Sequence, residues 1–287
     1  MLSHFPQPPQ GMHMNTTAQA IFTIGQALPC VVMALIAGRI WRKERSPIPA
    51  LCMVGGALAI FMEPIVDVLG QVWFPRAGQW RLLETWGRPI PWFIVVYIWY
   101  VGGQAFIAYR QLDRGARGRD IWKLYGIFFA VNVVLETPGL YMNLYTYYGR
   151  QPLNFFRLPL WWPAVNSAMP ILAGTLIFLL RPYLSGWRVL AVIPLIPAAD
   201  GMANAAAGWP TWSALNTRLP AAVVWSAGVV TCALASLMIH FISLVAEQHD
   251  TGVPREHLSF LRNAERQNPA ERLDDVMAKR RPRTPTW

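Results

Sequence analysis

Four carboxyl-bearing residues lie inside long apolar stretches of this sequence: Glu63, Asp67, Glu136 and Asp200. An ionisable side chain at bilayer depth costs at least a few kcal/mol, and by some estimates roughly 10 kcal/mol or more. Glu63 and Asp67 are four positions apart, so on a helix both point to one face. Paired carboxyls in an apolar setting can serve as a general acid and a general base.

The apolar stretches are long enough for membrane helices, which need about 20 residues each. Of the 287 residues, 54% are hydrophobic. The pattern predicts an all-α, polytopic membrane bundle of about seven transmembrane helices, numbered here as spans 1 to 7. Their approximate bounds are 18–40, 51–69, 90–109, 121–145, 161–180, 189–207 and 220–245.

The spans divide the chain into three parts. We expect a flexible N-terminal tail over residues 1–17 and a seven-helix transmembrane domain over 18–246. A charged, partly disordered cytoplasmic tail is expected over 247–287.

The formal net charge of +10 reflects the loops between the spans. Most of the Lys and Arg residues outside the spans follow spans 1, 3 and 5 or lie in the tail. The positive-inside rule then places the N-terminus outside and the C-terminus in the cytoplasm of a multi-pass protein of the cell membrane. Because this rule accounts for the charge, we expect the lipid bilayer as a partner and no nucleic acid.

In this orientation, all four carboxyls fall in the outer half of the bilayer. Spans 4 and 6 each carry a polar stripe at i, i+4, Asn132 with Glu136 and Asp200 with Asn204. Asn166, near the outer start of span 5, adds a polar group at the same depth. The common depth predicts one shared cavity.

The spans contain no Lys or Arg that could neutralise these carboxyls. Desolvation and like charge both disfavour ionisation, so we expect some of them to be protonated at neutral pH. A protonated carboxyl can donate a proton and an ionised neighbour can accept one. Substrate-positioning or wall residues are expected to be Asn132, Asn166, Asn204, Tyr141, Tyr145, Tyr148 and Trp162.

Other uses of these residues remain open. A single intramembrane carboxyl can be a hydrogen bonder between packed helices, and tyrosines near span ends are typical of interface belts. A proton relay is a further use of such residues, although the inner half offers little besides His240. The three cysteines, Cys30, Cys52 and Cys232, fit small core residues. Neither a metal site nor a cofactor motif is evident.

Five short motifs resemble those of the actinobacterial membrane spirocyclases, the family of the avermectin-pathway enzyme that dehydrates and spiroketalises a polyketide. The motifs span about residues 50–205: Glu63-Pro64-x-x-Asp67, Gly87-Arg88-Pro89-Ile90-Pro91, Glu136-Thr137-Pro138, Tyr145-x-Tyr147-Tyr148-Gly149-x-Gln151-Pro152 and Pro159-x-Trp161-Trp162-x-x-x-Asn166. The resemblance implies a membrane enzyme that closes rings by acid–base chemistry without a cofactor. By span count and carboxyl placement the chain is also similar to small seven-helix membrane terpene cyclases.

These observations favour a membrane-embedded, cofactor-independent cyclase acting on a lipophilic specialised-metabolite precursor, either a polyketide or a terpenoid. The catalytic residues would be Glu63, Asp67, Glu136 and Asp200. The alternative is a non-enzymatic seven-helix protein, either a transporter or a receptor or scaffold. The sequence determines neither the oligomeric state nor which carboxyl is the acid.

Overall fold

The protein is described by a computed structural model, in which residues 6–250 are placed. The described residues form a helical bundle, and the seven predicted spans are confirmed as helices long and apolar enough to cross a membrane. The orientation of the termini stays a prediction from the loop charges. The observed spans are Thr16–Glu44, Ile48–Gly70, Trp92–Asp113, Gly118–Tyr141, Trp161–Tyr183, Gly186–Leu215 and Ala221–Gln248.

Eight α-helices build these spans, because span 2 is interrupted. They are α1 Thr16–Glu44, α2 Ile48–Ala59, α3 Glu63–Gly70, α4 Gln104–Asp113, α5 Gly118–Tyr141, α6 Trp161–Leu180, α7 Val192–Leu215 and α8 Ala221–Asp250. Every span except span 4 is longer than the sequence predicted, and span 6 differs most. Span 4 ends at Tyr141 rather than near residue 145. The charged segment predicted over 247–287 lies mostly outside the described residues.

The N-terminal boundary also differs slightly from the expected one. Helix α1 begins at Thr16, and the Asn15 side chain caps it by accepting from the amide of Ala18. Met14 is fully buried, and its amide donates to the carbonyl of Ala77. The last residues of the expected tail therefore pack against the bundle.

Span 2 breaks immediately before its two carboxyls. Helix α2 ends at Ala59, a 3-10 turn covers Ile60–Met62, and α3 starts at Glu63. Pro64 lies in the first turn of α3, where its missing N–H costs no helical hydrogen bond. The break lets the short helix α3 present Glu63 and Asp67 on one face while α2 keeps its own packing.

Span 3 is irregular where it approaches span 2. It starts with a 3-10 turn, Trp92–Val95, and contains a π-helical segment, Ile98–Gly103, before α4. Gly56 faces this span so closely that a Cβ there would lie 2.6 Å from the carbonyl oxygen of Tyr97, and a Cβ at Gly102 would clash with the carbonyl of Cys52. The glycines allow the two backbones to touch, and this contact places Tyr97 beside α3.

Helix α6 is the centre of the bundle and packs against α4, α5, α7 and α8. In the most apolar 18-residue stretch of its span, 72% of the residues are buried, compared with 11% in the corresponding stretch of α1. One apolar core lies toward the ends of the spans that join at the basic loops, and it includes Val101, Ile121 and Ile171. A second apolar core lies toward the opposite ends.

Three two-stranded antiparallel sheets form a cap on that second end. Strand β1 (Val72–Trp73) pairs with β4 (Thr146–Tyr147), which joins the loops after spans 2 and 4. The other pairs are the hairpins β2 (Arg81–Thr85) with β3 (Arg88–Pro91) and β5 (Asn154–Phe155) with β6 (Leu158–Pro159). Alternation along β1 and β4 turns every second side chain toward the bundle.

Candidate active site

A small cavity lies below the cap, between spans 2 to 6 and α1. Its volume is about 90 Å³, room for a few water molecules and less than the roughly 300–1,000 Å³ of drug-sized ligand pockets. Its lining is mixed, with apolar side chains, five phenol or indole rings, three amides and three carboxyls. The polar and aromatic-polar members are Glu63, Asp67, Tyr97, Tyr100, Asn132, Glu136, Tyr145, Tyr147, Trp162, Asn166 and Asn204.

Helix α3 supplies two of the carboxyls. Glu63 accepts a hydrogen bond from the Tyr97 hydroxyl at 2.5 Å on Oε2. Asp67 is only 1% exposed, and the described residues give its Oδ2 no hydrogen-bond donor. The two side chains lie on one face of α3 and both line the cavity, but their surroundings are unequal.

Glu136, on α5, has the richest set of donors. Its Oε2 accepts from the hydroxyls of Tyr147 at 2.5 Å and Tyr145 at 3.0 Å. Its Oε1 accepts from the amides of Asn132 at 3.4 Å and Asn166 at 3.5 Å. An ionised carboxylate accepts hydrogen bonds and donates none, so a site with four donors fits the anion.

The two phenols that face Glu136 lie in the cap, outside the spans. Burial, together with the nearby charge of Glu136, raises the pKa of Tyr145 and of Tyr147 well above the usual range of a phenol. Both rings therefore stay neutral and keep the proton that they donate to Glu136.

Asp200 lies one layer behind the cavity wall. It is 1% exposed, does not line the cavity, and accepts from the Asn204 amide at 2.8 Å. Asn204 does line the cavity, and its amide also approaches the sulfur of Met169 at 2.9 Å. The Oδ2 of Asp200 and the Oδ1 of Asn204 have no partner among the described residues.

Glu63 links the four carboxyls electrostatically. The interactions that reach across the site include Glu63 with Glu136, Glu63 with Asp67 and Glu63 with Asp200. Charges in a buried site are screened less than charges in water. The charge state of one carboxyl therefore depends on the others.

Arg88 is a buried cation at the edge of this site, on strand β3. It is 6% exposed, donates to the Tyr148 hydroxyl at 2.5 Å, and lies over the rings of Trp73 and Tyr148 at 5.4 and 5.5 Å. Its charge acts on Asp67. The Lys and Arg residues within the described spans lie at the span ends away from the cavity, as expected. The cap nevertheless supplies a cation beside the cavity, just beyond the spans.

The structure gathers most of the residues that the sequence predicted for the site. The cavity lining includes Glu63, Asp67, Asn132, Glu136, Tyr145, Trp162, Asn166 and Asn204. Tyr148 lies in the cap with Arg88 and does not line the cavity. Tyr141 is 51% exposed and stacks beneath the Arg157 guanidinium, away from the site.

Besides apolar wall residues such as Phe22 and Phe93, the lining includes Tyr97, Tyr100 and Met169, which the sequence did not indicate. It also includes Tyr147, which the sequence indicated only as one of several tyrosines near the end of span 4. Tyr97 and Tyr100 belong to span 3, which carries no carboxyl near the cavity, so no charge pointed to them. Tyr147 lies two positions after Tyr145, and that spacing puts both on one side of an extended segment. This period of two was the available signal.

Among the described residues, no group of three or more His, Cys, Asp and Glu side chains is arranged to hold a metal ion. No family model, curated protein or solved structure matches the chain. The chemistry of the site is therefore argued from its own residues.

Proposed function

We propose that this protein is a membrane-embedded cyclase that closes rings in a lipophilic substrate by acid–base catalysis. One observation carries the proposal: three carboxyls with unequal hydrogen-bond environments line one small cavity of an apolar bundle, with a fourth directly behind them. Unequal environments for neighbouring carboxyls separate an acid from a base. The carboxyls supply the chemistry themselves, and the resemblance to membrane spirocyclases points the same way.

Glu136 is the proposed base and Asp67 the proposed acid. The four donors around Glu136 favour its ionised form, whereas Asp67 has an oxygen in the cavity wall without a donor. A protonated Asp67 would place a hydroxyl where a substrate oxygen can accept from it. The protonation states of Glu63 and Asp200 would then influence whether Asp67 holds its proton and whether Glu136 stays ionised.

Spiroketal formation from a dihydroxy ketone needs only these two groups. The acid protonates the carbonyl oxygen, a substrate hydroxyl attacks the carbonyl carbon, and the base takes the proton of that hydroxyl. Protonation of the resulting hemiketal hydroxyl releases water, and the second hydroxyl attacks the same carbon and loses its proton. Two C–O bonds form, one water leaves, and proton transfer from Glu136 back to Asp67 after each closure restores both carboxyls.

A terpenoid substrate would use the same groups differently. The acid would open an epoxide or protonate an alkene, a π-bond of the same molecule would attack the cation, and the base would remove a proton. The tyrosine faces at the cavity could stabilise the cationic intermediate. In either reaction the narrow walls would hold the substrate chain in a folded, reactive conformation. The entropy lost in ordering the chain is a large part of the barrier to cyclisation.

The second candidate is a transporter. The interrupted helices of spans 2 and 3 favour it, since transporters often bind substrate at such breaks. A transporter needs access from both membrane faces in turn. The closely packed core around Val101 and Ile171 covers one side of the site, which fits a cavity with one-sided access better.

The test is to replace each of the four carboxyls by its amide and to assay membranes with a long-chain dihydroxy ketone and with an epoxidised polyprenyl compound. Glu44→Gln is the matched control, because Glu44 pairs with Arg110 far from the cavity. We expect product from the wild type and the control, and a strong loss in Glu136→Gln and Asp67→Asn. Equal product from the wild type and all four folded amide variants would eliminate the proposal.

A further inference from the structure

An apolar groove lies on the outer surface of the bundle between α1, α5 and span 3. Its volume is about 540 Å³, several times that of the cavity. Its lining is Phe22, Gln26, Trp99, Ile127, Ala130, Val131, Val134, Leu135 and Pro138. Gln26 is the one amide among these residues, and it is 5% exposed and accepts from the Trp99 indole at 3.1 Å.

The groove and the carboxyl cavity share two wall residues, Phe22 and Leu135. Phe22 packs edge-on against Phe93, another cavity residue, with ring centroids 5.4 Å apart. Leu135 immediately precedes Glu136 along α5. These two side chains therefore separate the lipid side of the bundle from the proposed base by a single layer.

Helix α1 forms the side of this groove that is least packed against the rest of the bundle. In its most apolar 18-residue stretch only 11% of the residues are buried, which is the lowest fraction among the described spans. Its outer end is fastened to the cap, because Gln19 donates to the carbonyl of Gly78 and accepts from the amide of Trp80. The ring of Phe22 lies one helical turn beyond this fastening.

We propose that this groove is the hydrocarbon-binding subsite and lateral entrance for the lipophilic substrate, with Phe22 and Leu135 as its gate. The inference rests on the proposed function, since it explains how a cavity of about 90 Å³ handles a long molecule. The reacting oxygen-bearing segment enters the carboxyl cavity between the two gate residues. The unreactive hydrocarbon remains in the larger groove, where its burial contributes affinity.

The experiment uses the full-length protein in phosphatidylcholine vesicles with two palmityl alcohol analogues, one with a diazirine close to the hydroxyl and one with a mid-chain diazirine. After illumination, adducts are mapped by mass spectrometry of peptides. We expect the mid-chain probe to label the groove segment of α5, around Val131 and Val134, and the probe with the diazirine near its hydroxyl to label the cavity segment around Tyr145 and Tyr147. Labelling needs no turnover, so it is read independently of the proposed cyclase activity.

Substitutions of the gate residue Phe22 test whether the gate controls labelling of the cavity. Phe22→Trp overfills the gate and should lower the cavity adducts by about fivefold or more while the groove adducts persist. Phe22→Ala should raise the cavity adducts and gives a second reading if the larger ring perturbs folding. Leu28→Trp is the matched control, because Leu28 lies on α1 outside the groove lining and is 65% exposed.

Two results would overturn the inference. In one, the cavity adducts are unchanged in both Phe22 variants, which would place the entrance elsewhere. In the other, the groove is labelled no more strongly than the exposed surface of α8 around Val229, so that it binds only ordinary bilayer lipid. If gating is observed but the carboxyl-to-amide variants keep their activity, the proposed chemistry fails and the entrance stands.

Discussion

Tyr147 of the cap donates a hydrogen bond at 2.5 Å to Oε2 of Glu136 in span 4. Strand β4 carries Tyr147, and β4 is held in register by β1, which follows directly after the helix of Glu63 and Asp67. The strand pairing after span 2 thus fixes a donor to the carboxyl of span 4. Through this relationship the cap participates in the site as well as covering it.

Removing the Tyr147 hydroxyl should therefore slow the reaction without unfolding the protein. A hydrogen bond to a charged group is worth about 1.5–3 kcal/mol, so Tyr147→Phe should reduce the turnover rate by roughly 10- to 100-fold. The matched control is Tyr141→Phe, since Tyr141 is exposed outside the cavity. Initial rates of product formation provide the comparison, and equal rates for the two variants would mean that the Tyr147 bond has no catalytic role.

Arg88 should matter for stability more than a surface arginine does. Arg88→Met removes a buried donor to Tyr148 and two cation–π contacts, so we expect a loss of about 2–4 kcal/mol in the free energy of unfolding. Arg119→Met is the control. The Arg119 side chain is 71% exposed and pairs with Asp120 at 3.8 Å, and an exposed pair of this kind contributes little to stability. Denaturant titration in detergent would measure both, and similar losses would contradict this account.

The close contact between spans 2 and 3 gives a packing prediction. Gly102→Ala places a methyl group against the backbone of Cys52 and should destabilise the protein by about 1–3 kcal/mol. Gly126→Ala is the control, because no atom lies within 4 Å of a Cβ built there and alanine is the better helix former. The thermal midpoint should fall in the first variant and stay or rise in the second. A midpoint unchanged by Gly102→Ala would show that the two backbones are not in contact.

The loop charges predict an outside N-terminus and a cytoplasmic C-terminus. In a variant without the three native cysteines, a cysteine at Trp86 in the cap should react with an impermeant maleimide from outside the cell. A cysteine introduced by Trp187→Cys, in the first turn of span 6 where the side chain is 80% exposed, should react only in inside-out vesicles. The opposite labelling pattern would reverse the orientation and place the cavity in the inner half of the bilayer.

The sequence predicts the spans well because length and apolar composition alone decide them. It also identifies Glu63, Asp67 and Glu136 as neighbours, because one depth and i, i+4 spacing restrict where these side chains can lie. Rotation of a helix about its axis is set by packing. The sequence therefore could not show that Asp200 lies behind the wall while its partner Asn204 forms it.

The contributions of irregular backbone were harder to foresee. Tyr97 reaches Glu63 because a π-helical segment and two glycines bring spans 2 and 3 together. Tyr147 reaches Glu136 through a strand pair between two loops distant in sequence. Neither contact follows from the helical periodicity of a single span, so the sequence indicated neither Tyr97 nor the pairing of Tyr147 with Glu136.

The most direct test of the central claim is a double-mutant cycle on the proposed acid and base. Rates of ring closure are measured for Asp67→Asn, for Glu136→Gln and for the double variant in membranes, with Glu44→Gln as the control. If the two carboxyls act as a unit, each single change should cost about 100-fold or more, and the double should cost little beyond that. Single variants that cyclise the substrate at the rate of the control would contradict the account.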